Sequence, residues 1–199
     1  MPVTRQAPPR GKYDIYPSFK IADGKIFTGF ESLAERIKGQ NLVMIDGYSG
    51  AFFTDFKDHL ASKLCNSDKI NWINTEILLK SPVIIEEITS PFLGGDDPLF
   101  GKRTTLNLQD FFDPEKLAGV KADPPSGINI IAGPGAALAG WDGLLVYLDI
   151  PKNEIQYRAR AGSVTNLGSL VPSDPKEMYK RFYFVDWVVM NKHKQSILR

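Results

Sequence analysis

The chain is predicted to fold as an α/β domain, a mostly parallel sheet with helices on both faces. Three observations predict it. The apolar runs at 42–46, 128–132 and 144–148 are continuous, not alternating, which is how strands covered on both faces read. Helical patterns with an apolar stripe separate them. Gly47 ends the first run, Gly133-Pro134-Gly135 the second and Asp149-Ile150-Pro151 the third, so turns lie at what would be the carboxyl ends of strands.

The elements follow in order. Residues 1–12 mix proline, glycine and basic groups without periodicity and read as a flexible arm; residues 13–199 read as one domain. Residues 19–30 read as an N-terminal β-hairpin, because Asp23-Gly24 supplies the positive φ angles of a tight turn. A short helix is expected over 31–38, with Gly39 to cap it. After the first strand, Thr54 caps a helix whose inner face is Phe56, Leu60 and Leu64. Residues 70–74 read as a strand, 82–92 as a helix opened by Pro82 and broken at Pro91, and 110–117 as a short helix. The segments 94–98 and 122–127 are loops. Pro151 opens a helix to about residue 161. Asp174-Pro175 opens a long final helix with Met178, Phe182, Val185 and Val189 as its core stripe.

Composition excludes several function classes. A net charge of +1 leaves no global field to recruit nucleic acid or a membrane surface. No stretch is apolar for the ~18 residues of a membrane span, and residues 1–6 lack the apolar core of a signal peptide. Cys65 is the single cysteine, so no internal disulfide forms; with no leader, the expectation is a cytoplasmic protein. His59, His193 and Cys65 are too few for a histidine or thiolate metal site, which leaves only an all-oxygen magnesium site open.

The segment after the first strand has the shape of a phosphate loop. Such loops place backbone N–H groups and a helix N-terminus around an anion, with a lysine for the terminal phosphates. Here Gly47-Tyr48-Ser49-Gly50-Ala51-Phe52-Phe53-Thr54 keeps the first glycine and the final threonine. Phe52 and Phe53 stand in place of the second glycine and the lysine. Such a loop lacks the ammonium that offsets charge in phosphoryl transfer. Three readings stay open: a working ATP loop, a vestigial loop that binds a smaller anion at the helix N-terminus, and a plain strand-to-helix turn with no ligand. Gly47, Tyr48, Ser49, Gly50 and Thr54 are the candidate phosphate-binding residues, and Asp46, at the strand end, is a candidate substrate contact.

Two further segments carry polar groups. Arg158 and Arg160 end a helix, where a guanidinium either clamps phosphate or simply suits the helix dipole. The loop Gly94-Gly95-Asp96-Asp97-Pro98 pairs two carboxylates and leads to Lys102-Arg103. Adjacent carboxylates often share a cation or proton, so Asp97 and Arg103 are candidate catalytic groups and Asp96 a candidate substrate contact, while plain turn chemistry explains the same residues.

Residues 144–162 resemble the segment entering the lid of small P-loop kinases of the uridine-kinase type. Together with Tyr13-Asp14-Ile15-Tyr16-Pro17, Ile45-Asp46-Gly47-Tyr48, residues 93–103, 133–138 and 178–194, the chain resembles the N-terminal half of bacterial two-domain class I mannose-6-phosphate isomerase-type proteins. The resemblance implies a P-loop-kinase-like fold beside a C-terminal cupin domain that holds the isomerase metal site. No such barrel is present here. Three functions stay open: a degenerate kinase-like domain binding a phosphorylated sugar or nucleotide; an active small-molecule kinase needing magnesium and a nucleotide, with a lysine such as Lys102 supplied from elsewhere; and a structural partner for a cupin or for a second copy.

Overall fold

The computed structural model describes Gly11 and residues 21–64, 69–97, 99–121 and 127–198. The rest of the arm, residues 13–20, Cys65, Pro98 and the loop residues 122–126 lie outside the described residues. Among those described, four strands form one parallel sheet: β1 Leu42–Gly47, β2 Ile70–Asn74, β3 Ile128–Ala132 and β4 Leu144–Leu148, in the order β2-β3-β1-β4. Met44 of β1 lies level with Ile131 on one side and Leu145 on the other.

Side chains along a strand alternate between faces, and the two faces carry separate cores. On one face Val43, Ile45, Ile128 and Ile130 pack with Ala34 and Ile37 of α1 (Gly29–Ile37) and with Leu60 and Leu64 of α2 (Phe53–Leu64). On the other, Met44 and Ile131 lie in a larger cluster. It takes in Ile85 of α3 (Pro82–Thr89), Ile155 of α5 (Lys152–Arg160) and the final helix. Full burial of one such side chain stabilises by about 1.5–3 kcal/mol, so both helix layers are needed to hold the sheet. The short helix α4 (Pro114–Gly119) is capped by Asp113, whose carboxylate accepts from Glu115 N at 3.0 Å.

The final helix runs as α6 (Pro175–Arg181), a π turn (Phe182–Asp186) and α7 (Trp187–Ile197). Its stripe Met178, Phe182, Val185 and Val189 is fully buried, as a core reading requires. The π turn has no signal in the apolar periodicity, yet π turns inside helices often mark functional positions.

The hairpin expectation is corrected. Asp23-Gly24 does turn, with Gly24 at φ 71°, but residues 21–28 form no strand, and Gly29 and Phe30 already belong to α1. Asp-Gly chemistry is enough to make the turn; a hairpin also needs flanks that pair, and among the described residues neither side of the turn is a strand, while residues 19 and 20 lie outside them.

The connections set up a crevice. The chain leaves β1 for α2 on one face, while it leaves β3 and β4 for Ala136 and α5 on the other. Neighbouring strands whose exits diverge in this way leave an opening at their carboxyl ends, where open α/β sheets take ligands.

Candidate functional site

A cleft of about 430 Å³ occupies that opening. Its walls are the β1–α2 loop with the first turn of α2, the ends of β2 and β3 at Thr75 and Pro134, and residues 163–170. Each wall is held by identifiable bonds.

The β1–α2 loop turns at Gly50, whose φ of 95° suits glycine. Gly47 has a different task. A Cβ there would lie 2.6 Å from the Leu148 carbonyl oxygen, so glycine permits the close pairing of β1 with β4. Tyr48 is buried and its hydroxyl donates to Asn191 Oδ1 at 3.1 Å, anchoring the loop to α7. Burial pushes that phenol well above its ordinary pKa, with Asp149 and Asp186 adding to the rise. Arg158 fastens the outer side. Its guanidinium donates to the Gly50 carbonyl at 2.9 Å and to Glu154 at 2.9 Å, and lies 3.8 Å from the centre of the Phe52 ring. Phe52, in the place of a phosphate loop's second glycine, is thus a seat for an arginine. Helix α2 begins at Phe53, so Thr54 lies within its first turn and does not precede it as a cap.

Residues 163–170 are held from below by the π turn. Asn166 Nδ2 donates to Asp186 Oδ2 at 2.7 Å and to the Met178 carbonyl at 3.2 Å. Arg181 donates to Ser169 Oγ at 3.0 Å and to the Leu167 carbonyl, and its Nε lies 3.5 Å from Asp186 Oδ1. Burial raises the Asp186 pKa, and Arg181 and Asn166 oppose that rise without cancelling it. A buried, connected polar network of this kind fixes one loop position.

On the floor lie two hydroxyl residues, Ser49 at 4% and Thr75 at 1% exposure. Among the described residues neither side-chain hydroxyl has a hydrogen-bond partner. Gly133 makes the space for Thr75: a Cβ there would meet Thr75 Oγ1 at 2.0 Å. The two hydroxyl residues stand together in the lining with no bond to another described residue, so the cleft presents them to a ligand. The charges of the lining are Asp55, Glu76 and Lys80, and the Lys80 ammonium is engaged by the Asp110 carbonyl at 2.8 Å.

The expected site residues do not converge. Ser49, Gly50 and Thr54 line the cleft. Asp46 is fully buried instead: its carboxylate accepts from Gly47 N at 2.6 Å, Gly135 N at 3.0 Å, Ala137 N at 2.8 Å and His193 Nε2 at 2.8 Å. It therefore locks the ends of β1 and β3 to α7. Arg158 belongs to the wall, while Arg160 opens onto a separate aromatic groove. Asp97 closes its own exposed turn by accepting from Leu99 N and Phe100 N at 2.8 Å, bonds that hold its carboxyl below the usual range. Asp96 is exposed in the same turn, and Arg103 lies beside Lys192 and Lys194 of α7. Sequence reading missed Thr75, His193 and the Arg181–Asn166–Asp186 network. Thr75 had one signal, its place directly after a parallel strand. Among the described residues no cluster of three or more histidine, cysteine or acidic groups could hold a metal.

Residues 29–199 match the family model described as Domain of unknown function (DUF8485), and the chain belongs to that family. No curated protein and no solved structure matches it. Among the described residues no helix is long and apolar enough to cross a membrane.

Proposed function

We propose that this member of the DUF8485 family is a binding domain for a small phosphorylated sugar, which it holds in the cleft without transferring the phosphoryl group. The observation that carries the reading is the pair of hydroxyl residues Ser49 and Thr75, with no side-chain bond among the described residues, at the floor of a cleft onto which the first turn of α2 opens. Helix N-terminal N–H groups suit one anionic group, and hydroxyls suit a polyol. A nucleoside triphosphate suits the cleft poorly. Phe53 replaces the lysine, Arg158 is spent on the wall, Lys80 is engaged, and Asp55 and Glu76 repel a highly charged chain. The resemblance to the N-terminal half of mannose-6-phosphate isomerase-type proteins points to the same ligand class, though the family match itself names no ligand.

A thermal-shift titration tests this with mannose 6-phosphate, mannose, inorganic phosphate and magnesium-ATP. A ligand bound only by the native state raises the midpoint with concentration. The expected result is a rise with the sugar phosphate, a smaller one with phosphate, and none with magnesium-ATP. A rise with magnesium-ATP alone would restore the kinase reading, and no rise with any of the four would remove the cleft as a phosphosugar site.

A further inference from the structure

A second cavity, of about 470 Å³, lies away from the cleft, between α5, the start of the final helix and the loop carrying Leu99 and Phe100. Its floor is Ala159 and Phe182, both buried, and its sides are Tyr179, Tyr183 and Phe184. Leu99 and Phe100 overhang it at 72% and 71% exposure. Large apolar side chains displayed together on a surface mark an interaction site.

The display is built, not loose. Asp97 accepts the amides of Leu99 and Phe100, and Lys180 donates to the Asp97 carbonyl. A Cβ on Gly94 would meet the Phe100 carbonyl oxygen at 2.3 Å, and one on Gly101 the Phe184 ring at 2.8 Å. Both glycines let the loop fold down onto the aromatic wall, and preorganisation of this kind lowers the cost of binding.

The mouth carries cations. Arg160 and Lys176 line it, both exposed, and among the described residues neither side chain has a partner. The nearby Asp97 carboxylate is turned into its own loop. An aromatic cavity of ligand size with a few polar groups at the entrance is the usual form of a small-molecule site. Here the charged groups of the lining, Arg160, Lys176 and Lys180, are all positive, and Lys180 is engaged by the Asp97 carbonyl.

We infer that this groove is a second binding site, for an amphiphilic monoanion: an apolar chain or ring ended by a carboxylate, its body against Phe100, Tyr179 and Tyr183 and its head between Arg160 and Lys176. The inference is independent of the cleft and of its ligand.

Calorimetric titration at neutral pH with decanoate, decanol and decyltrimethylammonium, each below its micelle concentration, tests it. Decanoate is expected to bind saturably at one site per chain and decyltrimethylammonium not to bind. The double variant Arg160→Gln, Lys176→Gln is expected to weaken decanoate about fivefold, the loss of two exposed charge contacts, and to leave decanol unchanged. Phe100→Ser, at an exposed position where folding is not at stake, is expected to weaken both. Equal binding of the cationic and anionic probes, or decanoate binding that Phe100→Ser does not alter, would overturn the proposal. So would self-association in sedimentation that Phe100→Ser abolishes, because the groove would then belong to a second copy.

Discussion

Thr75 shows how a single residue separates stability from binding. It lines the cleft, and among the described residues its hydroxyl has no side-chain bond to hold. Thr75→Val keeps the shape and breaks no bond among the described residues, so the ligand-free protein is expected to be as stable as the native chain, by urea unfolding, while the sugar-phosphate shift is lost. Gly47 makes the opposite case. Gly47→Ala places a methyl 2.6 Å from the Leu148 carbonyl oxygen and is expected to cost about 1–3 kcal/mol, because β1 and β4 must separate. A phosphate-loop pattern cannot distinguish these two jobs for a glycine; only the paired strand does. Asp186 carries a pH signature. Its carboxyl is raised by burial, so the native state binds more protons than the unfolded chain from about pH 4 upward. Stability attributable to Asp186 therefore falls as pH rises through that window. Urea midpoints measured from pH 4 to 7 are expected to show native stability declining relative to Asp186→Asn.

At the scale of elements, the β1–α2 loop was legible as a strand-to-helix turn, because a buried apolar run closed by glycine and followed by an amphipathic stripe fits little else. Its occupant was not. Arg158 was legible as a cation at a helix end, fit to clamp phosphate or to suit the dipole, but its guanidinium serves the Gly50 carbonyl and the Phe52 ring. Arg158→Ala is expected to destabilise by about 1–2 kcal/mol in chemical unfolding, the combined loss of a hydrogen bond and a cation–π contact. Arg160, two residues on, faces a different cavity, as the helical repeat requires. The final helix was legible as one amphipathic element because its stripe follows the helical period. The π turn within it was not, and neither was the network by which Asp186 and Arg181 reach residues 166–169. Those bonds span from about a dozen to twenty residues of sequence and leave no periodic trace.

For the molecule as a whole, the parallel sheet covered on both faces followed from continuous apolar strands alternating with helices, and it fixes where a cleft can lie. The strand order β2-β3-β1-β4, which sets β1 between two strands whose exits leave to the opposite face, depends on pairings that no single segment encodes. The same limit explains Asp46. A carboxylate at the end of a central strand reads as a ligand contact, yet the approach of Gly135, Ala137 and His193 encloses it completely. The site is thus made less by the charged residues that stand out in the sequence than by small hydroxyls left without partners once the strands have assembled. Isothermal titration of mannose 6-phosphate into the native protein and into the Ser49→Ala, Thr75→Val double variant tests this most directly. One saturable site in the native protein, weakened about tenfold or more in a variant of unchanged thermal midpoint, is the result expected from the loss of two buried hydrogen bonds to a charged ligand. Equal affinity in both proteins, or no binding by the native chain, would contradict it.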